Sequence, residues 1–170
     1  MEPTLINGIP AHPLLVHAVV VLVPLTALCL VACAAWPSIL RRFGLALPGL
    51  ALISLALVPL TTSAGEWLEE RVQETTLVEK HAELGDELLP WTIGMLAVAA
   101  LVWFAYRYLA VPEHRPAGST DTAARPRAAV WAIAVLLSVV VAVGSVVQVY
   151  RIGDSGAKSV WRGSFSATAN

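Results

Sequence analysis

The stretch LLVHAVVVLVPLTALCLVACAAW, residues 14–36, decides the fold, because it is long enough to span a bilayer and carries no Asp, Glu, Lys or Arg. Three further apolar blocks follow at residues 43–62, 91–111 and 129–150. The chain is 57% hydrophobic with a mean hydropathy of +0.71, above the roughly 45–50% apolar content of soluble domains. We therefore predict an all-α integral membrane four-helix bundle that forms a single domain over residues 1–170.

Two connections between these blocks differ in character. Residues 66–90, between the second and third spans, are strongly acidic, and their apolar residues recur at steps of three to four. This pattern predicts one or two amphipathic helices at the outer membrane surface. Residues 112–127 are rich in Pro, Ala, Ser and Thr and predict a flexible linker. Gly153 and Gly156, after the fourth span, predict a turn.

Arginine placement predicts the orientation of the chain. The loops at residues 37–42 and 112–127 are arginine-rich, whereas residues 1–13 contain no Lys or Arg. The positive-inside rule then places both termini outside a bacterial inner membrane. The net charge of −1 gives no reason to expect a nucleic-acid partner. The expected partners are the lipid bilayer, a membrane or periplasmic protein, and further copies of the chain.

Histidines provide the candidate ligands. His17 lies inside the first span, roughly 5 Å below the outer surface, and His81 lies in the outer acidic segment. His12 precedes Pro13, which predicts an extended entry to the helix. His12 and His17 are about 140° apart on a helix and do not share a face. We therefore predict His17 and His81 as a cofactor-binding pair. His12 is a further candidate metal ligand, and Met95 is an alternative ligand.

Polar residues are expected to gather at the same outer end as these histidines. They form a polar rim on the ends of the other segments: Thr61, Thr62, Glu66, Gln148 and Arg151. The fourth span also carries a stripe of small and polar residues on one face, which predicts a close-packed helix interface: Ala134, Ser138, Ala142, Ser145 and Gln148. His114 lies in the linker, where we expect it to be solvated.

Three functions remain open on these residues. Recognised catalytic motifs such as GxSxG, HExxH and CxxC are missing from the sequence, so we expect no stand-alone catalytic activity. In an accessory or structural subunit, the histidines would bond between helices. In a redox protein, His17 and His81 would bind haem b or a transition metal. A small transporter is the third alternative, although no inverted repeat is visible.

The opening HPLLVHAVVVLVPL resembles the signature of a bacterial membrane family, domain of unknown function 2231. The likeness extends over about residues 8–161 and is carried by these positions: His12-Pro13, Val16-His17, Pro24, Ala64-Gly65, His81, Arg151, Gly153 and Gly156. The resemblance implies a four-helix membrane fold and brings no activity with it.

The chain departs from the family pattern at two places. Many members carry phenylalanine where this chain has Ala18. Relatives often have a histidine in the C-terminal glycine motif, where this chain has Ile152 and Asp154. If that histidine is a ligand in relatives, this chain lacks the ligand.

Overall fold

The computed structural model describes residues 5–6, 8–109 and 124–162. A short hairpin precedes the helices, and its two strands pair antiparallel. The elements follow in this order: β1 (Leu5–Ile6), β2 (Ile9–Pro10), α1 (Ala11–Ala35), α2 (Pro37–Phe43), α3 (Ala46–Glu69), α4 (Thr76–Asp86), α5 (Leu88–Leu109) and α6 (Ala124–Trp161).

Four helical stretches of the described chain are long and apolar enough to cross a membrane. They are Ala11–Ala35, Ala46–Glu69, Thr76–Tyr108 and Ala128–Trp161. The third stretch joins α4 to α5, and its apolar part is α5, because α4 carries most of the charged residues. The predicted all-α membrane fold is confirmed.

The four long helices pack into one bundle. Helix α1 contacts α3 and α6, and α5 contacts the same two helices. Their facing sides bury Val23, Leu30, Met95 and Val102 completely. The stripe on α6 is buried along its whole length, from Ala134 to Gln148. The predicted close-packed interface is therefore present, while the outward faces expose leucine, valine and isoleucine, which suit contact with lipid.

Helix α1 begins earlier than the sequence predicts. His12 lies in its first turn rather than in an extended entry. Pro10 ends the hairpin and occupies the N-cap position with φ −53° and ψ 134°, so helical geometry starts at Ala11. Pro13 is tolerated there because the first N–H groups of a helix have no partner within the helix.

Helix α6 is longer than predicted at both ends. Residues 124–127 belong to the helix rather than to the predicted linker, the rest of which, with His114, lies outside the described residues. Gly153 and Gly156 lie within the helix rather than in a turn. The 38 residues of α6 span about 57 Å, well beyond the roughly 30 Å hydrocarbon core. Its last turns therefore project from the membrane, where they pack against α4.

The two short helices lie at opposite ends of the bundle. Helix α2 connects α1 to α3, and α4 lies between α3 and α5. We call the end with α4, His12 and His81 the histidine end. We call the end with α2, Arg41 and Arg42 the arginine end.

Candidate functional site

His12 joins α1 to α3 at the histidine end. Its Nδ1 lies 2.9 Å from the backbone carbonyl oxygen of Thr61. A carbonyl oxygen only accepts hydrogen bonds, so Nδ1 must carry the proton. The bond fixes both the tautomer and the direction of the imidazole ring.

His81 joins α4 to α6 in the same manner. Its Nδ1 lies 3.1 Å from the carbonyl oxygen of Ile152 and 3.0 Å from Oγ of Ser155. The Ser155 hydroxyl donates to the Ile152 carbonyl at 2.9 Å. The Ser155 oxygen is therefore left to accept, and the Nδ1–H of His81 is shared between the two oxygens.

The imidazole rings of His12 and His81 meet each other. Their centroids lie 6.1 Å apart, and the ring planes are nearly perpendicular at 86°. With both Nδ1 atoms protonated and bonded, each neutral ring carries its free lone pair on Nε2. Among the residues that the structure describes, neither Nε2 has a hydrogen-bond partner. The site thus presents two unused imidazole nitrogens.

A glycine lies under each ring. A Cβ at Gly65 of α3 would lie 3.0 Å from Cε1 of His12, and one at Gly156 of α6 would lie 2.9 Å from Cε1 of His81. These separations are too short for a side chain without movement of the ring. Glycine therefore lets each histidine lie flat against a neighbouring helix.

Burial favours the neutral form of His81. Helix α4 lies outside the apolar spans, and the partly buried ring loses hydration there. Desolvation lowers the pKa of His81, the neighbouring His12 lowers it further, and the bond to the Ile152 carbonyl partly offsets both. Neutral imidazole is the form that binds metal ions.

His17, which the sequence predicts to pair with His81, does not take part in this contact. Its side chain is exposed, and its Nδ1 hydrogen-bonds the Pro13 carbonyl of its own helix. The ring that contacts His81 is that of His12. The predicted separation of about 140° explains the difference, because only one of the two positions can face α3.

Gln148 and Arg151, two residues of the predicted polar rim, form a separate cluster. Nε2 of Gln148 donates to the Leu84 carbonyl at 2.7 Å and to the Glu87 carboxylate at 3.1 Å. Arg151 donates to Oε1 of Gln148 at 3.1 Å and lies 3.5 Å from the Glu87 carboxylate. This cluster ties α6 to the junction of α4 and α5 and makes no hydrogen bond to either histidine.

The other predicted rim residues divide between neighbouring features. Thr61 belongs to the site through its carbonyl, while its hydroxyl donates to Leu57 within α3. Thr62 bonds the Pro59 carbonyl in its own helix. Glu66 is exposed and lines an acidic cleft formed by these residues: Glu66, Glu69, Glu70, Glu74, Thr75, Thr76, Val78 and Glu79.

The number of protein ligands at the site is small. Within the described residues, no group of three or more His, Cys, Asp or Glu side chains is placed to hold a metal ion. Met95, the alternative ligand, is fully buried in the apolar core. Within the described residues, the histidine pair therefore offers two protein donors.

A family model described as a predicted membrane protein (DUF2231) matches residues 8–169. The chain belongs to this family. No curated protein and no solved structure matches it. Four of the motif positions that carry the DUF2231 resemblance come together in space, because His12 lies against Gly65, His81 lies against Gly156, and the two imidazole rings meet. This convergence makes the histidine pair the candidate functional site of the DUF2231 chain.

Several site residues were missed by sequence reasoning. Ile152 was noted only because it stands in the tail where DUF2231 relatives often carry a histidine, yet its carbonyl supports His81. Ser155 was part of a predicted turn, although its hydroxyl contacts the same ring. A fourth helix extended through Gly156 would place Ile152 and Ser155, which are three residues apart, on the same helix face. That spacing is the signal that could have identified both residues.

Proposed function

We propose that this membrane protein binds a late transition-metal ion, with copper the best suited, between Nε2 of His12 and Nε2 of His81. The observation that carries the proposal is the contact of the two rings at 6.1 Å with both Nε2 atoms free of hydrogen bonds within the described chain. Each ligand comes from a different helix, so the ion would join α1 to α4.

The hydrogen bonds behind the rings support this function. Histidines that bind metals almost always donate their other N–H to a carbonyl or carboxylate, which sets the tautomer and the ring direction. His12 donates to Thr61 and His81 donates to Ile152, both to backbone carbonyls. The two rings are therefore oriented before any ion arrives.

The donor set favours copper among the metals that imidazole binds. Imidazole suits zinc, copper, iron and nickel, and among the divalent ions copper binds nitrogen sites most strongly. Monovalent copper also accepts two nitrogen donors in a near-linear arrangement, which matches a site with two protein ligands. Structural zinc commonly takes four protein ligands, more than this pair supplies.

Haem b and transport fit the geometry less well. A haem would need a slot for its macrocycle between the rings, but neither the acidic cleft nor the cleft beside α2 is lined by a histidine. A transport path would need a polar route between the helices. Midway along the bundle, the hydroxyls of Thr26 and Ser54 are buried and bond each other at 2.9 Å among apolar side chains.

A structural or accessory subunit is the second candidate. The observation that favours it is that the two histidines connect four helices, α1 with α3 and α4 with α6. In that function the histidine pair would hold α1 on α3 and α4 on α6 without a metal ion. A protein partner, a homo-oligomer and the lack of stand-alone catalysis stay predictions.

The proposed location is a bacterial inner membrane with the histidine end and both termini outside. Arg41, Arg42 and Arg107 lie at the opposite end, and the positive-inside rule favours an arginine-rich end as the inner face. Reporter fusions to the two ends of the chain test this orientation.

Titration of the detergent-purified chain with Cu⁺, Zn²⁺ and Ni²⁺ separates the two functions. We expect about one copper ion per chain. His12→Asn, which keeps an N–H donor but removes Nε2, should weaken copper affinity roughly 100-fold or more, since it removes a direct ligand and outer partners alone contribute 10–100-fold. His17→Ala is the matched control on the same helix and should bind like the wild type.

The opposite pattern would support the structural subunit. In that case His12→Ala and His81→Ala lower the thermal unfolding temperature, while copper neither binds with about unit stoichiometry nor raises that temperature in the wild type. Equal copper affinity in the wild type, His12→Asn and His17→Ala would overturn the metal proposal. A Soret band that His81→Ala removes would establish haem instead.

A further inference from the structure

Helix α2 carries two exposed arginines that lack a counter-charge among the described residues. Leu40 is fully buried and anchors the helix on the core, whereas the neighbouring Arg41 and Arg42 are exposed. Within the described residues, neither guanidinium makes a hydrogen bond or an ion pair. Among the described residues near this end, 36–45 and 103–108 contain no Asp or Glu.

Three other basic side chains of the described chain lie close to carboxylates. Arg71 bonds Glu70 at 3.0 Å, and Lys158 bonds Asp154 at 2.6 Å. Arg151 lies 3.5 Å from Glu87. Three basic side chains at the histidine end therefore lie close to a carboxylate, whereas within the described residues Arg41 and Arg42 have none.

The two arginines border a cleft with a mixed lining. It is formed by Ser38, Ile39, Arg41, Arg42 and Phe43. Trp36 and Leu45 flank α2 and are 58% and 66% exposed. Aromatic side chains at the end of an apolar helix are typical of the membrane interface. The cleft thus lies where phospholipid headgroups lie, with apolar surface next to it.

We propose that this cleft binds the headgroup phosphate of an anionic phospholipid. Guanidinium groups bind phosphate through paired charge-assisted hydrogen bonds, and the Ser38 hydroxyl supplies a further donor. Basic side chains next to a spanning helix attract anionic lipid headgroups. A lipid rather than a free phosphate is the occupant, because Trp36 and Leu45 offer apolar contact for the acyl chains. The proposal does not depend on the metal site.

Spin-labelled lipids test the proposal in vesicles that contain the full chain. The fraction of immobilised label is measured for phosphatidylglycerol and for phosphatidylcholine. We expect the wild type to prefer phosphatidylglycerol several-fold, since each basic residue near the surface contributes roughly a fivefold preference. The double variant Arg41→Gln, Arg42→Gln should reduce the ratio to about one.

Arg71→Gln is the matched control, because it removes a paired arginine from the other end of the bundle. It should keep the wild-type lipid preference. An equal preference for both lipids in the wild type, or an unchanged preference in the double variant, would overturn the proposal. Full competition by glycerol phosphate in solution would also overturn it, since the cleft would then recognise the free anion.

Discussion

The two short helices at the ends of the bundle are held in opposite ways. Helix α2 is held by an apolar side chain, because Leu40 is completely buried while the adjacent arginines remain exposed. Helix α4 buries only Leu84 and relies on polar contacts that its own residues make with α6. One end is attached by burial, and the other is attached by directed hydrogen bonds.

This difference teaches what each end can do. An apolar anchor holds a helix but does not orient any polar atom, so the arginines of α2 remain free to meet an external anion. Directed bonds fix individual atoms, and at His12 and His81 they leave Nε2 as the unused nitrogen. The arginine end therefore suits a mobile lipid, whereas the histidine end suits a ligand that needs defined geometry.

Leu40→Ala should produce the largest effect, at the apolar end. Truncation of a fully buried leucine lowers the free energy of unfolding by about 2–5 kcal/mol, because a cavity remains. Equilibrium unfolding in mixed detergent micelles measures the change. Leu45→Ala, at a residue 66% exposed, is the control and should alter stability by less than about 0.5 kcal/mol. Equal losses of unfolding free energy in Leu40→Ala and Leu45→Ala would contradict the claim that the burial of Leu40 attaches α2.

Gln148→Ala tests the polar attachment of α4. The side chain is 3% exposed and donates to the Leu84 carbonyl at 2.7 Å. Its removal takes this hydrogen bond from the Leu84 carbonyl and leaves Arg151 with the Glu87 carboxylate alone, so it should lower the free energy of unfolding by about 1–3 kcal/mol. Gln73→Ala, at an exposed position, provides the comparison in the same unfolding assay. A loss no larger than that of Gln73→Ala would show that α4 does not need this bond.

Gly156→Ala tests the ring position of His81 without removal of a ligand. The added Cβ would lie 2.9 Å from Cε1 of the ring, so the imidazole must move. Copper affinity should fall roughly 10–100-fold, the usual effect of a disturbed outer partner. At Gly153 an added Cβ meets nothing within 4 Å, so Gly153→Ala should bind copper normally. Both substitutions raise helix propensity alike, and their comparison isolates the steric effect.

Acid pH should weaken the attachment of α4 to the bundle and leave α2 in place. We expect this effect to be the smallest of the four predicted here for the two ends. The folded-state pKa of His81 is lowered from 6.5 by burial, so the unfolded chain binds the proton more readily. The stability from neutral His81 is present above pH 6.5 and is lost as pH falls through the lowered pKa. The amide protection factors of α4, which are corrected for the pH dependence of intrinsic exchange, should fall at acid pH, while those of α2, which contains no histidine, should not. In His81→Gln the pH dependence at α4 should vanish; its persistence would assign the effect to another group.

The sequence alone predicts the membrane spans and the gathering of histidines at one end. It does not predict that the ring of His12 meets that of His81. Apolar blocks of bilayer length predict helices because a buried backbone must satisfy its own hydrogen bonds. The start of α1 was wrong by a few residues, since the residue before proline usually avoids helical geometry. Here the hairpin that ends at Pro10 imposes that geometry on His12.

The prediction for the C-terminal part of the site was wrong for a related reason. Gly153 and Gly156 indicate a turn by local propensity, and each costs about 1 kcal/mol inside a helix relative to alanine. Contact with α4 keeps α6 helical through Trp161, and Gly156 is needed under the ring of His81. Tertiary packing, which single-sequence patterns do not contain, decided both the helix end and the partner of His81.

X-ray absorption at the copper edge, recorded on the chain loaded with one equivalent of Cu⁺, tests the central claim most directly. The account predicts imidazole nitrogen donors in the wild type and in His17→Ala, and a smaller number of them in His12→Asn. A spectrum with sulfur donors, which the free cysteines Cys29 and Cys33 could supply, would contradict the account. A spectrum that stays the same in His12→Asn would contradict it as well.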